Sequence, residues 1–293
     1  MFIIKHKKIF VIISAILVIV SLSSIGYFGL NLGIDFKGGS LTEVEYQTAR
    51  PDHSVIEEKL APLALGEAII QPTGEMGYGI KTRAVSEEER ASMLTALGAD
   101  AKEKSFTSIG PSVGAELVRK SILSFILVSL GIIFFIAYSF RKVSKPVSSW
   151  KYGLIAIVTL IHDILIPVGI FAFLSHTFGT EVDTLFVVAI LTILGLSVSD
   201  TIVVFDRIRE NIRIGGFKTF EETVGKSLEQ VFTRSITTSS TVIIVLLALV
   251  FFGPTSTKVF AMMLTAGMFM GTYSSIFLAS PLLVLLNKKV KTS

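Results

Sequence analysis

Three charged residues lie inside or beside long apolar segments of this sequence. Asp163 follows His162 near the middle of one segment, Asp200 lies within the next, and Arg234 stands at the entrance of a third. A charge at bilayer depth costs at least ~2.5–3.5 kcal/mol, so such a residue must face protein or water and usually has a function. An arginine favours an ionised carboxylate and desolvation favours the neutral acid, so these opposed effects can prepare a carboxyl group for proton exchange. A structural ion pair or a polar packing cluster is the alternative.

Six apolar segments must position these residues. Each meets the roughly 20-residue length needed to cross ~30 Å of hydrocarbon, the fifth only just. The segments are 9–30, 121–140, 152–174, 184–205, 236–252 and 259–286. Within lipid they must be helical, because a helix satisfies its own backbone polar groups. With 51% hydrophobic residues, the sequence predicts an all-α membrane bundle of six helices.

The distribution of lysine and arginine predicts the orientation of the chain. These residues are frequent in 1–8, 141–151, 206–233 and 288–293, and rare in 175–183 and 253–258. The positive-inside rule therefore places both termini in the cytoplasm and the long connection outside it. The predicted divisions are a cytoplasmic N-terminus with the first span at 1–30, an extracytoplasmic domain at 31–120, the other spans at 121–287 and a cytoplasmic tail at 288–293. The first span is too long for a cleaved signal peptide, so we expect a retained anchor.

The connection 31–120 has the pattern of a small α+β domain. Residues 41–48 alternate apolar and polar, as a half-buried strand does. Ser54 with Glu57, and Ser86 with Glu89, have the spacing of capping boxes that open two helices. Further strands are expected at 68–72, 78–83 and 104–109. The resulting order β-α-β-β-α-β predicts a ferredoxin-like fold, which by itself supports no function.

Other polar or small residues in the apolar segments favour structural roles. The hydroxyl-rich stretch 235–241 is expected to bind helices together, with a hydrated path as the alternative. Gly267 and Gly271 form a Gly-xxx-Gly face for close packing, within the chain or with a partner. The amphipathic segment 206–233 predicts an interfacial helix, with docking of a partner as the weaker alternative.

The composition excludes several other classes of protein. Without cysteine the chain can form no disulfide framework, iron–sulfur cluster or thiolate metal site, and no cofactor is predicted. The net charge of +4 does not indicate nucleic acid as a partner, because the basic residues flank the apolar segments.

Five sequence blocks, in order, resemble the SecF family of bacterial protein-export subunits. They lie in both the membrane and the extracytoplasmic parts of the chain, on the same six-span plan. The blocks are Leu-Gly-Ile-Asp-Phe-Lys-Gly-Gly-Ser at 32–40, Ile-Gly-Pro-Ser-Val-Gly-Ala-Glu-Leu at 109–117, His162-Asp163, Ser-Asp-Thr-Ile-Val-Val-Phe-Asp-Arg-Ile-Arg-Glu-Asn at 199–211, and Thr-Arg-Ser-Ile-Thr-Thr-Ser at 233–239. Residues 46–103 contain no block of this kind.

The resemblance implies a function in protein export across the bacterial inner membrane. Members of this family work with a SecD-like subunit, within the resistance-nodulation-division superfamily, and help the SecYEG channel to move unfolded preproteins outward. The proton-motive force drives that step. Carried onto this sequence, Asp200 and Arg234 would form the proton-responsive pair, with Asp163 and its neighbour His162 as accessory relay residues. Membrane lipid and protons are the other implied partners, and no enzymatic activity is expected.

Two other classes of function remain as alternatives. The first is a proton-driven exporter of small molecules or lipids from the same superfamily, although such exporters usually have twelve spans and larger extracytoplasmic domains. The second is an intramembrane aspartyl protease, which needs two carboxyl groups that share a proton. The surroundings of Asp163 and Asp200 lack the Gly-x-Gly-Asp and Tyr-Asp sequences of those proteases.

Overall fold

A computed structural model describes residues 2–66, 68–139, 148–215 and 217–287 of the chain. It divides into two compact units: one comprises residues 32–123, and the remaining described residues form the other. The sequence places the boundaries of the smaller domain at 31 and 120. The predicted cytoplasmic tail 288–293 and most of the basic connection 141–151 lie outside the described residues.

The chain begins with one long apolar helix, continues through the small domain and then forms the other spans. Up to residue 109 they are α1 (Phe2–Lys5), α2 (Lys7–Phe28), α3 (Ile34–Lys37), β1 (Gly39–Tyr46), α4 (His53–Leu60) with a 3₁₀ turn at Ala61–Leu63, β2 (Ile69–Thr73), β3 (Gly77–Thr82), α5 (Glu87–Leu97) and β4 (Ala101–Ile109). The later helices are α6 (Pro111–Ser139), α7 (Ser149–Phe178), α8 (Thr184–Ile214), α9 (Phe220–Phe252), α10 (Thr255–Ser274), a π-helical segment at Ser275–Ala279, and α11 (Ser280–Leu286).

Six helical runs among the described residues are long and apolar enough to cross a membrane. They are α2, α6, α7, α8, α9 and the continuous run from α10 to α11. The predicted six-helix bundle with an inserted α+β domain is therefore confirmed. Helix α7 contains Pro167 in its interior and still continues to Phe178.

The centre of the bundle is formed by α7, α8 and the run from α10 to α11. These helices bury roughly half or more of their most apolar windows, whereas α2 and α6 leave most of theirs exposed within this chain. The core includes the fully buried side chains of Tyr152, Phe205 and Ile276. Polar side chains on α7, α8 and α10 are thus carried into the interior, while α2 and α6 present apolar surface.

The predicted interfacial helix at 206–233 is wrong. Residues up to Ile214 continue α8, and Phe220 begins α9, which runs to Phe252 without interruption. The apolar residues Val224, Leu228 and Val231 pack into the core cluster with residues of α8. Because their apolar face is covered by protein, it needs no contact with the membrane surface. At 31 and 33 residues, α8 and α9 are each longer than a span requires.

The small domain has one antiparallel sheet with the strand order β2-β3-β1-β4. Strand β1 lies in the middle, and Ser40 is opposite Thr82 of β3 and Ser108 of β4. Helices α4 and α5 contribute the buried side chains Ile56 and Met93 to the apolar core of the sheet. This order, with the β-α-β-β-α-β sequence of elements, is the ferredoxin-like arrangement that the pattern predicts.

Of the two predicted capping boxes, only the second forms. Ser86 accepts a hydrogen bond from the Glu89 amide, and the Glu89 side chain accepts one from the Ser86 amide. Helix α4 instead begins after Asp52, which places Ser54 inside the first turn, and its N-cap makes no side-chain hydrogen bond. The spacing of Ser54 and Glu57 was a misleading signal, because the helix starts two residues earlier than that spacing requires.

The Glu89 carboxylate is expected to make the stability of α5 depend on pH. Hydrogen bonds from Arg83, and then from the Ser86 amide, lower the pKa of Glu89 from 4.5 to about 2. A lowered folded-state pKa gives stability that is fully present above about pH 4.5 and is lost as the pH falls toward 2. In the full-length protein, Glu89→Gln should reduce the protection of α5 amides from hydrogen exchange at pH 5, with the difference disappearing near pH 2.

The matched control for that measurement is Glu58→Gln on α4. Glu58 is exposed, and its replacement should leave amide protection unchanged at both pH values. A difference between wild type and Glu89→Gln that is equally large at pH 5 and pH 2 would contradict the role assigned to the carboxylate.

Candidate functional site: a buried acid and its hydroxyl partners

Asp163 on α7 lies in the interior of the bundle and is wholly buried. Its Oδ1 atom is 2.8 Å from Nδ1 of His162. Its Oδ2 atom accepts hydrogen bonds from the hydroxyls of Ser197, at 2.5 Å, and Ser274, at 2.6 Å. Since a buried carboxylate is tolerated only when polar groups replace its lost hydration, this cluster supplies what Asp163 requires. It joins α7, α8 and the end of α10.

Close contact between α8 and α10 brings these hydroxyls to Asp163. A Cβ atom added to Gly271 would lie 3.2 Å from Cβ of Ser197, and one added to Gly267 would lie 2.3 Å from Cγ1 of Ile193. The predicted Gly-xxx-Gly face therefore packs inside the chain, against α8. Of the two possibilities that the sequence leaves open, internal packing is the one found.

His162 is also buried, and its two ring nitrogens have different surroundings. Nδ1 contacts Asp163, whereas Nε2 has no hydrogen-bond partner among the described residues. The imidazole ring lies nearly parallel to the ring of Tyr273 on α10, with 6.1 Å between the centroids. A buried polar atom without a partner is uncommon and calls for an explanation, of which a role in moving protons is one.

A second pair of hydroxyls lies beside the first. Thr201 Oγ1 on α8 and Ser275 Oγ are 2.9 Å apart, and both side chains are buried. The hydroxyls of Ser274 and Ser275 also both lie within hydrogen-bonding distance of the carbonyl oxygen of Gly271, at 3.1 and 2.8 Å. The π-helical segment begins at Ser275. Such segments are rare and frequently lie at functional sites, because they offset the helical register locally.

The hydroxyl-rich stretch of α9 divides between two faces. Ser235 and Ser239 are buried, and Ser239 accepts a hydrogen bond from Thr272 at 2.5 Å. The exposed members are Thr237, Thr238, Ser240 and Thr241. The contact between Ser239 and Thr272 links α9 to α10, which is the helix-binding role predicted for this stretch.

Asp200 and Arg234, which the sequence suggests could pair, make no ion pair among the described residues. Asp200 is half-buried on α8, and Arg234 is exposed on α9. Ser235 on α9 lies near Asp200, although the two form no hydrogen bond of ordinary geometry. Asp200 Oδ2 and Ser235 Oγ are both buried without a partner in the described structure. Of the four predicted site residues, His162 and Asp163 are therefore in contact with each other, whereas Asp200 and Arg234 are not paired in the described structure.

The geometry does not favour the aspartyl protease alternative. The polar partners of the Asp163 oxygens are His162, Ser197 and Ser274, and Asp200 is not among them. A carboxyl pair sharing one proton requires direct contact between the two acids. Within the described ranges, no group of three or more acidic, histidine or cysteine side chains could hold a metal ion.

Sequence reasoning missed the residues that complete the site. Ser197, Thr201, Ser274 and Ser275 carry no charge, and serine or threonine is common in membrane helices. One signal was available, because Ser197 and Thr201 lie three residues before and one residue after Asp200, on the same side of a helix. Ser274 and Ser275 reach the site only because of the way α10 packs against α7 and α8, and no pattern in the sequence indicates this.

Taken together, the fold and the site define a multi-pass membrane protein with a ferredoxin-like domain between its first two spans and ionisable side chains enclosed by the other spans. The family "Protein export membrane protein SecD/SecF, C-terminal" matches residues 89–289, and "SecD/SecF GG Motif" matches residues 24–49. The chain belongs to the SecD/SecF family of protein-export membrane proteins, and its relatives are SecF subunits. It is accordingly a multi-pass inner membrane protein.

Relatives and solved structures agree with this assignment. The protein translocase subunit SecF of Thermobaculum terrenum is 43% identical, over 96% of this chain and 92% of its own, and that of Anaerolinea thermophila is 36% identical, over 97% and 93%. The crystal structure of SecDF, a translocon-associated membrane protein from Thermus thermophilus, matches with a TM-score of 0.82 and 28% identity. The match covers 97% of this chain and 38% of the SecDF chain. SecDF in a super-membrane-facing form matches with a TM-score of 0.63.

Proposed function

We propose that this chain is a SecF subunit that works with a SecD-like subunit and uses the proton-motive force to promote movement of unfolded preproteins through a SecYEG channel. The observation that carries the proposal is the fully buried Asp163, held by side chains from three helices of a SecF-family bundle. Family membership supports the export role, and the buried acid supports the use of protons. The solved SecDF chain is much longer than this one, so a SecD-like partner would supply the remainder.

Proton binding at Asp163 would change the contacts between helices. As a carboxylate, Asp163 accepts hydrogen bonds from Ser197 and Ser274 at the same oxygen. A protonated carboxyl group must donate one hydrogen bond, so at least one contact of Asp163, with Ser197, Ser274 or His162, has to rearrange or reverse its direction. Since the contacts join α7 to α8 and α10, protonation would favour a different arrangement of these helices. Moving one charge through the membrane potential yields ~2.3 kcal/mol per 100 mV, enough to bias such an equilibrium.

Arg234 would enter the mechanism in another conformation of α9. It adjoins Ser235, the residue of α9 that interacts with Asp200. Successive residues of an α-helix are about 100° apart around its axis, so a rotation of α9 by that angle would turn Arg234 toward α8. Alternation between Ser235 and Arg234 beside Asp200 would change the charge next to this acid. The exposed position of Arg234 then represents one of two states.

The proposed orientation follows from the charges outside the apolar segments. Both termini lie in the cytoplasm, and the domain at residues 32–123 is extracytoplasmic, where it would contact the emerging preprotein. The exposed apolar faces of α2 and α6 would contact membrane lipid or the SecD-like subunit. Movement of the bundle on proton binding would then be transmitted to that domain through α6, which continues from it.

Replacement of Asp200 by asparagine tests the proposed function. Asp200→Asn keeps the size of the side chain and removes its exchangeable proton, so proton-driven export from membrane vesicles should fall by more than about tenfold. Export that persists after addition of an uncoupler should be unchanged. The measurement is preprotein translocation with and without the uncoupler, in complexes that contain the variant.

Asp206→Asn is the matched control, because Asp206 lies on the same helix and is ion-paired with Arg209. This variant should retain proton-driven export. If Asp200→Asn also retained full proton-driven export, Asp200 would have no part in the mechanism.

A further inference from the structure

Two buried polar atoms without partners belong to residues of the proposed site. They are Nε2 of His162, the neighbour of Asp163, and Oδ2 of Asp200. Four buried hydroxyl residues lie on the same helices as these acids or pack against them, and we call them the hydroxyl band: Ser197 and Thr201 on α8, Ser274 at the end of α10, and Ser275 at the start of the π-helical segment. Every member of the band is hydrogen-bonded to Asp163 or to another member.

One end of the band contacts Asp163, and the other adjoins Asp200. Ser197 and Ser274 donate to Oδ2 of Asp163. At the other end, Ser275 Oγ is 2.9 Å from Oγ1 of Thr201, the residue next to Asp200. Other titratable side chains near these acids are His162 on α7 and Tyr273 on α10, whose rings stack. The band therefore extends from the carboxyl group of Asp163 to the residue that follows Asp200 on α8.

The carbonyl oxygen of Gly271 connects the two halves of the band. Ser274 lies within hydrogen-bonding distance of both Asp163 and this carbonyl, at 2.6 and 3.1 Å, but has only one hydroxyl proton. Ser275 lies 2.8 Å from the same carbonyl and 2.9 Å from Thr201, again with one proton. Ser274 must therefore favour one of two acceptors, whereas Ser275 either donates to the carbonyl and accepts from Thr201 or donates to Thr201.

Proton uptake at Asp163 would change the hydrogen bonds of Ser274 and Ser275 one after the other. A neutral carboxyl group is a weaker acceptor than a carboxylate, so the hydroxyl proton of Ser274 would turn to Gly271. That carbonyl also accepts the Ser275 amide and has only two lone pairs, so it cannot accept both hydroxyl protons as well. The hydroxyl proton of Ser275 would then turn to Thr201. The only proton gained is the one on Asp163, and no covalent bond of the serines or threonine is broken.

We infer that the hydroxyl band transmits the charge state of Asp163 to Thr201 and so to Asp200, which makes the two acids one coupled unit. Ser274, Ser275 and Thr201 are positioning residues for proton-driven export. This inference rests on the proposed function, since it requires that these acids exchange protons. It extends that function by naming uncharged residues that connect the acids.

The test uses the full complex with its SecD-like subunit, reconstituted in liposomes, with proton flux followed by a pH-sensitive dye. Thr201→Val and Ser274→Ala should each reduce proton flux about tenfold, the equivalent of one hydrogen bond to a charged group. Because both residues act in one pathway, the double variant should lose about tenfold as well, rather than about a hundredfold.

Thr159→Val is the matched control. Thr159 is buried one turn before Asp163, but its hydroxyl donates only to the carbonyls of Ile155 and Ala156 in its own helix. This variant carries the same substitution as Thr201→Val and should leave proton flux unchanged.

Infrared spectroscopy gives a second measurement that does not depend on transport. The carboxyl band of Asp163, assigned by its loss in Asp163→Asn, should shift in Thr201→Val although Thr201 makes no hydrogen bond to Asp163, and should stay in place in Thr159→Val. An unmoved band, or unchanged flux in both single variants while Asp200→Asn loses its flux, would overturn the inference and leave the proposed function standing. Full flux in Asp200→Asn would overturn the inference and also remove Asp200 from the proposed mechanism.

Discussion

Gly267→Ala is expected to lower the free energy of unfolding by about 1–3 kcal/mol, the usual cost of adding a methyl group to a filled interior. The new Cβ atom would lie 2.3 Å from Cγ1 and 2.4 Å from Cδ1 of Ile193. Ile193 is almost fully buried on α8, so it has little room to move. Helices α8 and α10 would separate, and the hydroxyls around Asp163 would move apart with them. The measurement is denaturant unfolding of the purified protein in detergent, with proton-driven export assayed alongside.

A double-mutant cycle identifies the clash as the cause. Ile193→Ala removes the atoms that the new methyl group would meet. The double variant should therefore lose less free energy of unfolding than the sum of the two single losses, by about 1 kcal/mol or more. Gly195→Ala on α8 is the control, because nothing lies within 4 Å of its added Cβ atom. Strictly additive losses for Gly267→Ala and Ile193→Ala would show that the methyl group is accommodated elsewhere.

Asp163→Ala and Asp163→Asn are expected to separate the structural role of this residue from its role in proton exchange. Alanine leaves His162 and Ser197 without their acceptor, while Ser274 can turn to the carbonyl of Gly271, and each unpaired buried group costs about 1–3 kcal/mol. We therefore expect Asp163→Ala to lower the free energy of unfolding by about 3 kcal/mol or more, with export lost. Asparagine retains one oxygen acceptor but has no exchangeable acid, so Asp163→Asn should fold and still lose proton-driven export.

The two measurements are the free energy of unfolding in detergent and the difference in export with and without an uncoupler. Asp183→Asn is a suitable control, because Asp183 caps α8 by accepting from the Phe186 amide and asparagine caps equally well. It should leave both measurements near their wild-type values. Should Asp163→Asn show undiminished proton-driven export, the cluster would be a packing feature of the bundle.

Much of the architecture follows from local features of the sequence. The six spans are set by the length of apolar helix that crosses a bilayer, and each predicted segment lies within or nearly within an observed helical run. The capping box of Ser86 and Glu89 also formed as predicted, because its hydrogen bonds involve only neighbouring residues. The length of α8 and α9 was harder to predict, since the residues beyond the apolar segments are held in helix by packing against each other.

The apolar residues around His162, Asp163 and Asp200 are enough to place these side chains in membrane-spanning helices without knowledge of the fold. Which acid is enclosed, and by which residues, depends on how the helices pack. Asp163 is surrounded by serines 34 and 111 residues away in sequence, and their positions depend on the close packing of Gly267 and Gly271 against α8. Arg234 and Ser235 are neighbours in the sequence, yet Arg234 lies on the exposed face of α9 and Ser235 on the buried one. Such contacts arise from the rotation and distance of packed helices, which the apolar pattern of a single segment does not specify.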